Sequence, residues 1–135
     1  MVRTYVDSSV VIAAFRGDHE KWAEANAILD DPNRTLITSD YVRLETLPKP
    51  LFNGRRDEAE FIQAFFATAD EQAPSGDPVT SGSVELAARY DLGPLDALHV
   101  SAAVHGKAEE FVTLEKRRKP LGRVTEIRVA FLSES

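Results

Sequence analysis

Four acidic residues could together form a reactive site: Asp7, Glu45, Asp96 and Glu115. Asp7 follows a β-branched and aromatic run at residues 4–6, which predicts a buried strand, and it precedes a predicted helix. Glu115 comes directly after a second predicted strand at residues 111–113. The carboxyl ends of parallel strands share one edge of an α/β sheet, and ligands bind at that edge. If the two strands are neighbours, Asp7 and Glu115 lie there together.

The other two acids are expected to reach the same edge from helices. Asp96 falls in the first turn of a helix predicted from residues 95–105, and helix starts face this edge. Glu45 lies in the middle of a helix, within the largely apolar stretch 42–47. The predicted topology therefore brings four carboxylates toward one place.

Four clustered carboxylates repel one another and cannot all stay ionised without compensation. A hard divalent cation bound through oxygen atoms provides it, and Mg²⁺ or Mn²⁺ suits carboxylate and water ligands. Such an ion can lower the pKa of a bound water and stabilise charge that grows on a phosphate. The pattern therefore predicts metal-assisted hydrolysis of a phosphodiester.

Each acid also has an ordinary structural interpretation. Asp7 could cap the following helix, although Ser8 or Ser9 is expected to take that role. Asp96 could complement the helix dipole, Glu45 could extend into solvent, and Glu115 could be one surface charge among its basic neighbours. The acids form no local motif, so the hypothesis of a metal site depends on the topology.

The apolar patterns alternate between strands and helices, which predicts a three-layer α/β/α sandwich around a central, mostly parallel sheet. The strands are expected at residues 4–6, 35–38, 78–80, 111–113 and 124–132. The helices are expected at residues 10–15, 19–29, 40–47, 56–71, 83–90 and 95–105. The 135 residues are expected to form one domain, residues 1–135.

Composition narrows the functional classes. The chain has no cysteine, which excludes disulfides and thiolate metal sites, and it has no apolar run long enough for a membrane span. Without a recognisable signal peptide, a cytoplasmic location is expected. The formal charge of −6 has the wrong sign for a typical nucleic-acid binder. A bound cation or a local basic surface would make the charge near the site positive despite the negative charge of the whole chain.

A basic segment directly follows Glu115 and consists of Lys116, Arg117, Arg118 and Lys119. Its position next to the proposed site makes it a candidate for contacts with RNA phosphates. A solvated surface loop is an equally good interpretation. His99, one turn after Asp96 on the same helix face, is interpreted as a packing or hydrogen-bonding residue rather than a catalyst.

The segments around the four acids resemble the signature segments of PIN domains. They are YVDSSVVIAAF around Asp7, SDYVRLETL around Glu45, PLDALHVSAAV around Asp96, and the strand FVTLEK. The resemblance is greatest to the VapC-type toxin ribonucleases of bacterial toxin–antitoxin systems. It covers nearly the whole chain, in order and spacing.

This resemblance implies a PIN fold, dependence on Mg²⁺ or Mn²⁺ and endonucleolytic cleavage of single-stranded RNA. It also implies a homodimer and inhibition by a small cognate antitoxin protein. Asp7, Glu45 and Asp96 match the family's acidic positions, and Thr113 matches a hydroxyl residue that supports the site. Ser8 matches a small hydroxyl residue that often follows the first acid. Glu115 stands where the family usually has Asp.

Two other classes remain open. The Asp-to-Glu difference at Glu115 would also fit a catalytically impaired PIN-like module that binds RNA or a partner without cutting. A different phosphoryl-chemistry protein is the third possibility. A receiver domain would have an acidic pair near its first strand, and a haloacid-dehalogenase-like phosphatase would have Asp where Ser9 stands.

Overall fold

The computed structural model describes residues 1–134. Within that range five strands form one sheet in the order β3-β2-β1-β4-β5, and every pairing is parallel. The strands are β1 (Val2–Val6), β2 (Arg34–Thr38), β3 (Glu71–Gln72), β4 (Glu110–Thr113) and β5 (Arg128–Phe131). The predicted α/β class with a central parallel sheet is confirmed.

Seven α-helices connect the strands within the described range. They are α1 (Ser8–Phe15), α2 (Trp22–Leu29), α3 (Asp40–Thr46), α4 (Pro48–Phe52), α5 (Arg56–Thr68), α6 (Val79–Tyr90) and α7 (Pro94–His105), with short 3₁₀ turns at Pro120–Arg123 and Leu132–Glu134. Right-handed crossovers place α1 to α5 on one face of the sheet and α6 and α7 on the other. The contacts of α1 with α2, α3 and α5, and of α6 with α7, agree with this arrangement. None of the helices in residues 1–134 is both long and apolar enough to cross a lipid bilayer.

The middle strand, β1, carries the core. Tyr5 and Val6 are fully buried, and Tyr5 stacks on Phe111 of β4 with ring centroids 5.3 Å apart. Val6 pairs with Val112, so β1 and β4 end side by side. Asp7 follows Val6, and Thr113 follows Val112 at the end of β4. The two residues therefore meet at the carboxyl edge of the sheet.

Several predicted boundaries differ from the structure. The strand expected at residues 78–80 is wrong, because Val79 begins α6. The third strand is β3 instead, and its first residue, Glu71, is the last residue of the helix predicted at 56–71. Here tertiary hydrogen bonds decide the structure: Asp70 Oδ2 accepts a bond of 2.8 Å from the Leu36 amide, and the Asp70 amide donates to Leu36 O. The last strand starts only at Arg128, because Val124 ends a 3₁₀ turn.

A buried charge stabilises the opposite, amino edge of the sheet. Glu110 at the start of β4 is only 3% exposed. It accepts a 2.8 Å hydrogen bond from the Thr4 hydroxyl and forms ion pairs with Arg34 and, at 3.7 Å, with Arg128. A buried carboxylate is tolerated when cations and hydrogen-bond donors surround it in this way.

We expect Glu110→Gln to lower the free energy of unfolding by about 2–4 kcal/mol, because it removes the buried charge between Arg34 and Arg128 and leaves Arg34 only its ion pair with Asp31. Urea denaturation measures this change. Glu71→Gln is the matched control, because Glu71 pairs with Arg3 on the surface and its loss should cost at most about 1 kcal/mol. Equal effects of the two substitutions would contradict the interpretation.

Candidate functional site

Asp7 is held at the carboxyl edge by three hydrogen bonds. Its Oδ1 accepts from the Ser8 amide at 2.8 Å, and its Oδ2 accepts from the hydroxyls of Ser9 at 3.1 Å and Thr113 at 2.7 Å. The residue is 5% exposed. These donors fix the direction of the carboxylate, and all three are neutral.

The prediction that Ser8 or Ser9 caps α1 is wrong. The helix begins at Ser8, and Asp7 is its N-cap, with extended backbone angles and a side chain that accepts from the Ser8 amide. Ser9 instead connects Asp7 to the residue after β4, since its hydroxyl also accepts from the Leu114 amide at 3.0 Å. Asp7 therefore combines a capping role with a position in the acidic site.

Thr113 connects Asp7 to Glu115. Its hydroxyl donates to Asp7 and accepts from the Glu115 amide at 3.0 Å. The Glu115 residue is partly buried, and its charge is among those that act on Asp96.

Glu45 reaches the site from α3 and meets a buried histidine of α7. Its Oε1 lies 2.8 Å from His99 Nε2, and the Ser8 hydroxyl lies 3.5 Å from the same nitrogen. The hydrogen bond from His99, followed by one from Ser8, lowers the pKa of Glu45 below its ordinary value. Glu45 is therefore ionised at neutral pH.

Asp96 lies in the first turn of α7 and is partly buried. Burial is the largest cause that raises its pKa, from 3.8 to about 6, and the negative charges of Asp7, Glu115 and Glu45 add to the shift. His99 acts in the opposite direction. The four predicted acids thus share one electrostatic environment.

The donor set fits a hard divalent cation. Oxygens of Asp7 and Glu45 and a nitrogen of His99 all lie within 4.8 Å of one another, whereas Asp96 and Glu115 are not members of this tight group. Burial first, and then the negative charges of the neighbouring acids, raise the pKa of Asp96, so the carboxylates of this site act against one another. A divalent ion would relieve that repulsion, and carboxylates are its preferred ligands.

His99 contributes more to this geometry than its place in the sequence indicates. It is fully buried and uses both ring nitrogens, with Nδ1 2.8 Å from the Tyr5 hydroxyl. The interpretation of His99 as a hydrogen-bonding residue is confirmed. The role of Tyr5 was missed, because strand patterning predicts only that it is buried. One signal in the sequence could have indicated this role: the hydroxyl of a tyrosine predicted to be buried needs a polar partner.

The basic segment, residues 116–119, is exposed along its whole length next to Glu115. The Arg117 guanidinium lies over the Phe131 ring of β5, 4.7 Å from its centroid. This contact fixes one residue of the segment against the sheet, beside the acidic site.

Comparisons with known proteins agree with this geometry. The family model described as the PIN domain matches residues 4–124. A search of curated proteins found no significant match.

Among solved structures, the chain is similar to VapBC2 from Rickettsia felis bound to a DNA fragment from their promoter. The identity is 15%, the TM-score is 0.73, and the match covers 96% of this chain and 98% of that one. It is also similar to Mycobacterium tuberculosis VapC20, described as a sarcin–ricin loop cleaving toxin, with 17% identity, a TM-score of 0.69 and coverage of 93% and 98%. At these identities the likeness concerns the fold.

We expect Asp96→Asn to stabilise the protein at neutral pH. A raised folded-state pKa means that the stability linked to protonated Asp96 is fully present below pH 3.8 and is lost as the pH rises through about 6. Asparagine cannot ionise, so the variant avoids this loss. The expected gain is about 1 kcal/mol, below the value for a fully buried group because solvent screens a partly exposed carboxylate.

Urea unfolding with a chelator present, at about pH 7.5 and about pH 4, measures this difference. The gain should disappear at the lower pH. Asp91→Asn is the control, since Asp91 is exposed and asparagine tolerates its positive φ of 57°. A variant no more stable than the wild type at the higher pH would contradict a strained acidic cluster.

Proposed function

The chain belongs to the PIN domain family, and on that premise we propose that it is a metal-dependent endoribonuclease that cleaves single-stranded RNA. We further propose that it acts in the cytoplasm as the toxin of a toxin–antitoxin pair. VapC20, which shares its fold, is described as a toxin that cleaves the sarcin–ricin loop. That description supports the RNA substrate proposed for this chain.

One observation carries the proposal: carboxylates from separate elements converge on one sheet edge, where burial first and then the charges of the neighbouring acids raise the pKa of Asp96 to about 6. A fold needs no such cluster for stability, because burial of like charges is unfavourable. It is the arrangement that a site for a divalent cation requires. Mg²⁺ or Mn²⁺ bound there would supply charge stabilisation at the scissile phosphate and a more acidic water.

The proposed roles follow from how each side chain is held. Three donors fix the direction of the Asp7 carboxylate, and Asp7 would be a principal ligand together with Asp96. Glu45 would complete the site from α3. Glu115, whose amide is bonded to Thr113, would be a fourth member. Thr113 and Ser8 would support the site through their contacts with Asp7.

The basic segment would bind the RNA. Lys116, Arg117, Arg118 and Lys119 are exposed beside the acidic edge, so they can hold phosphates near the scissile bond. The local positive charge also offsets the acidic character of the chain as a whole, whose formal charge is −6. Substrate approach would then depend strongly on salt.

An exposed apolar surface on α3 and α4 supports the proposed protein partner. Leu44 and Leu51 are largely exposed, and the Phe52 residue is 89% exposed. Leu51 also lines a surface cavity of about 330 Å³, together with Arg55 and Arg56. Exposed apolar side chains with basic neighbours suit an apolar segment that carries acidic residues. The proposed occupant is the cognate antitoxin, and a homodimer is part of the same proposal.

Asp7→Asn and Asp96→Asn should each reduce cleavage of single-stranded RNA by at least about 100-fold, because each removes a proposed ligand charge. The fold should persist, since asparagine can still cap α1. Single-turnover cleavage with Mg²⁺ or Mn²⁺, and circular dichroism of each variant, measure the two outcomes. Asp30→Asn, an exposed position on α2's C-cap, is the control.

Retained Mg²⁺-dependent cleavage in purified Asp96→Asn would refute the assignment. Wild-type protein that binds RNA but neither cleaves it nor binds Mn²⁺ at millimolar concentration would favour the alternative, a catalytically impaired binding module.

Replacing Lys116, Arg118 and Lys119 by alanine should weaken RNA binding and reduce its dependence on salt. Each lost phosphate contact lowers the slope of log K against log salt by about 0.7 for single strands, so about 2 is expected for three. Fluorescence anisotropy with the Asp96→Asn protein measures binding without cleavage. Arg128→Ala removes one charge at the opposite sheet edge and should leave the slope unchanged. An unchanged slope in the triple variant would show that the segment is a solvated surface loop that does not contact RNA phosphates.

A further inference from the structure

A buried chain of hydrogen bonds runs from the start of α3 to the acidic site. The Ser39 and Tyr5 hydroxyls lie 2.6 Å apart, the Tyr5 hydroxyl lies 2.8 Å from His99 Nδ1, and His99 Nε2 lies 2.8 Å from Glu45 Oε1. Ser39, Tyr5 and His99 are all fully buried. Glu45 is the one member of the chain that reaches solvent, with a side chain that is 35% exposed.

The order of protons along this chain is fixed from both ends. Ser39 Oγ accepts from the Val42 amide, which leaves its own hydrogen for Tyr5. Tyr5 is buried and therefore protonated, so its O–H donates to His99 Nδ1. His99 Nε2 then carries the ring hydrogen and donates to the Glu45 carboxylate. The reverse order would place two lone pairs against each other at Glu45.

With the protons in this order, His99 is not one of the residues that would bind the metal. A histidine binds a metal through a ring nitrogen that carries no hydrogen. Here Nδ1 faces Tyr5, and Nε2 uses its hydrogen for Glu45. His99 therefore acts on the carboxylate, as outer hydrogen-bond partners of metal ligands do.

We propose that Tyr5 and His99 are positioning residues that orient Glu45 for cation binding, an inference that rests on the proposed metal-dependent function. Tyr5 holds the imidazole in its Nε2–H form, and His99 holds the Glu45 carboxylate within reach of Asp7. Glu45 comes from an exposed helix surface and has a flexible side chain. The buried histidine restricts that freedom before an ion binds.

Calorimetric titration with Mn²⁺ tests the proposal on the complete protein. His99→Leu should weaken Mn²⁺ binding by about 10–100-fold, the usual effect of losing such a partner. His99→Gln should restore part of the affinity, because its amide can donate in place of Nε2–H. Tyr5→Phe removes only the hydroxyl and should give a smaller loss. Ser101 lies on the same helix as His99 and donates a buried hydrogen bond to Val79 O of α6, so Ser101→Ala should leave Mn²⁺ affinity unchanged.

A double-mutant cycle shows whether His99 acts through Glu45. In a Glu45→Gln background, His99→Leu should have little further effect on Mn²⁺ affinity. An undiminished loss there would overturn the proposal and indicate direct ligation by His99. Wild-type affinity in both His99→Leu and Tyr5→Phe would also overturn it.

Nitrogen NMR of the imidazole, with a chelator present, provides a readout that does not depend on activity. The Nε2–H tautomer is expected in the wild type, and its population should fall in Tyr5→Phe. A predominant Nδ1–H tautomer in the wild type would overturn this proposal alone. Failure of the wild type to bind Mn²⁺ would instead overturn the proposed function together with it, so the two failures are distinguishable.

Discussion

The parallel pairing of β1 with β4 is the constraint on which the candidate site depends. Val6 and Val112 are partners in this pairing, and the Asp7 amide donates to Val112 O at 3.0 Å. The chain therefore leaves both strands at the same level, which brings Asp7 and Thr113 into direct contact. A slip of one residue would turn each side chain to the other face of the sheet and separate them. The apolar residues that bury these strands thus also set the distance between the polar groups.

Helices on the two faces of the sheet complete the site. Glu45 comes from α3 in one layer, and Asp96 and His99 come from α7 in the other. The layers meet above the end of β1, where Tyr5 contacts Ser39 of the first layer and His99 of the second. A fully bonded polar chain between packed layers is rigid, because each member has one compatible arrangement. The two layers cannot shift relative to each other without breaking it.

Much of this arrangement could be predicted from the sequence. The alternation of strand and helix patterns predicted the parallel sheet. The apolar run before Asp7 predicted that residue's place at the carboxyl edge, and the helix start predicted the place of Asp96. The strand β3 could not be predicted, since Glu71 and Gln72 have low strand propensity and pair only because β2 offers an open edge. The Tyr5–His99 contact was equally hidden, because it joins residues 94 positions apart. Periodicity predicts which residues are buried, whereas their hydrogen-bond partners depend on how the layers pack.

The two edges of the sheet treat buried carboxylates in opposite ways, and this difference bears on function. At the amino edge, Glu110 lies against the cations of Arg34 and Arg128, so its charge is neutralised within the fold. At the carboxyl edge, Asp7 accepts from a backbone amide and two hydroxyls, which are neutral donors. Neutral donors fix the direction of a carboxylate and leave its negative charge in place. Glu110 therefore has cationic partners within the fold, whereas Asp7 has only neutral donors at the amino end of α1, and this is why its role as a helix cap is compatible with the proposed role in a metal site.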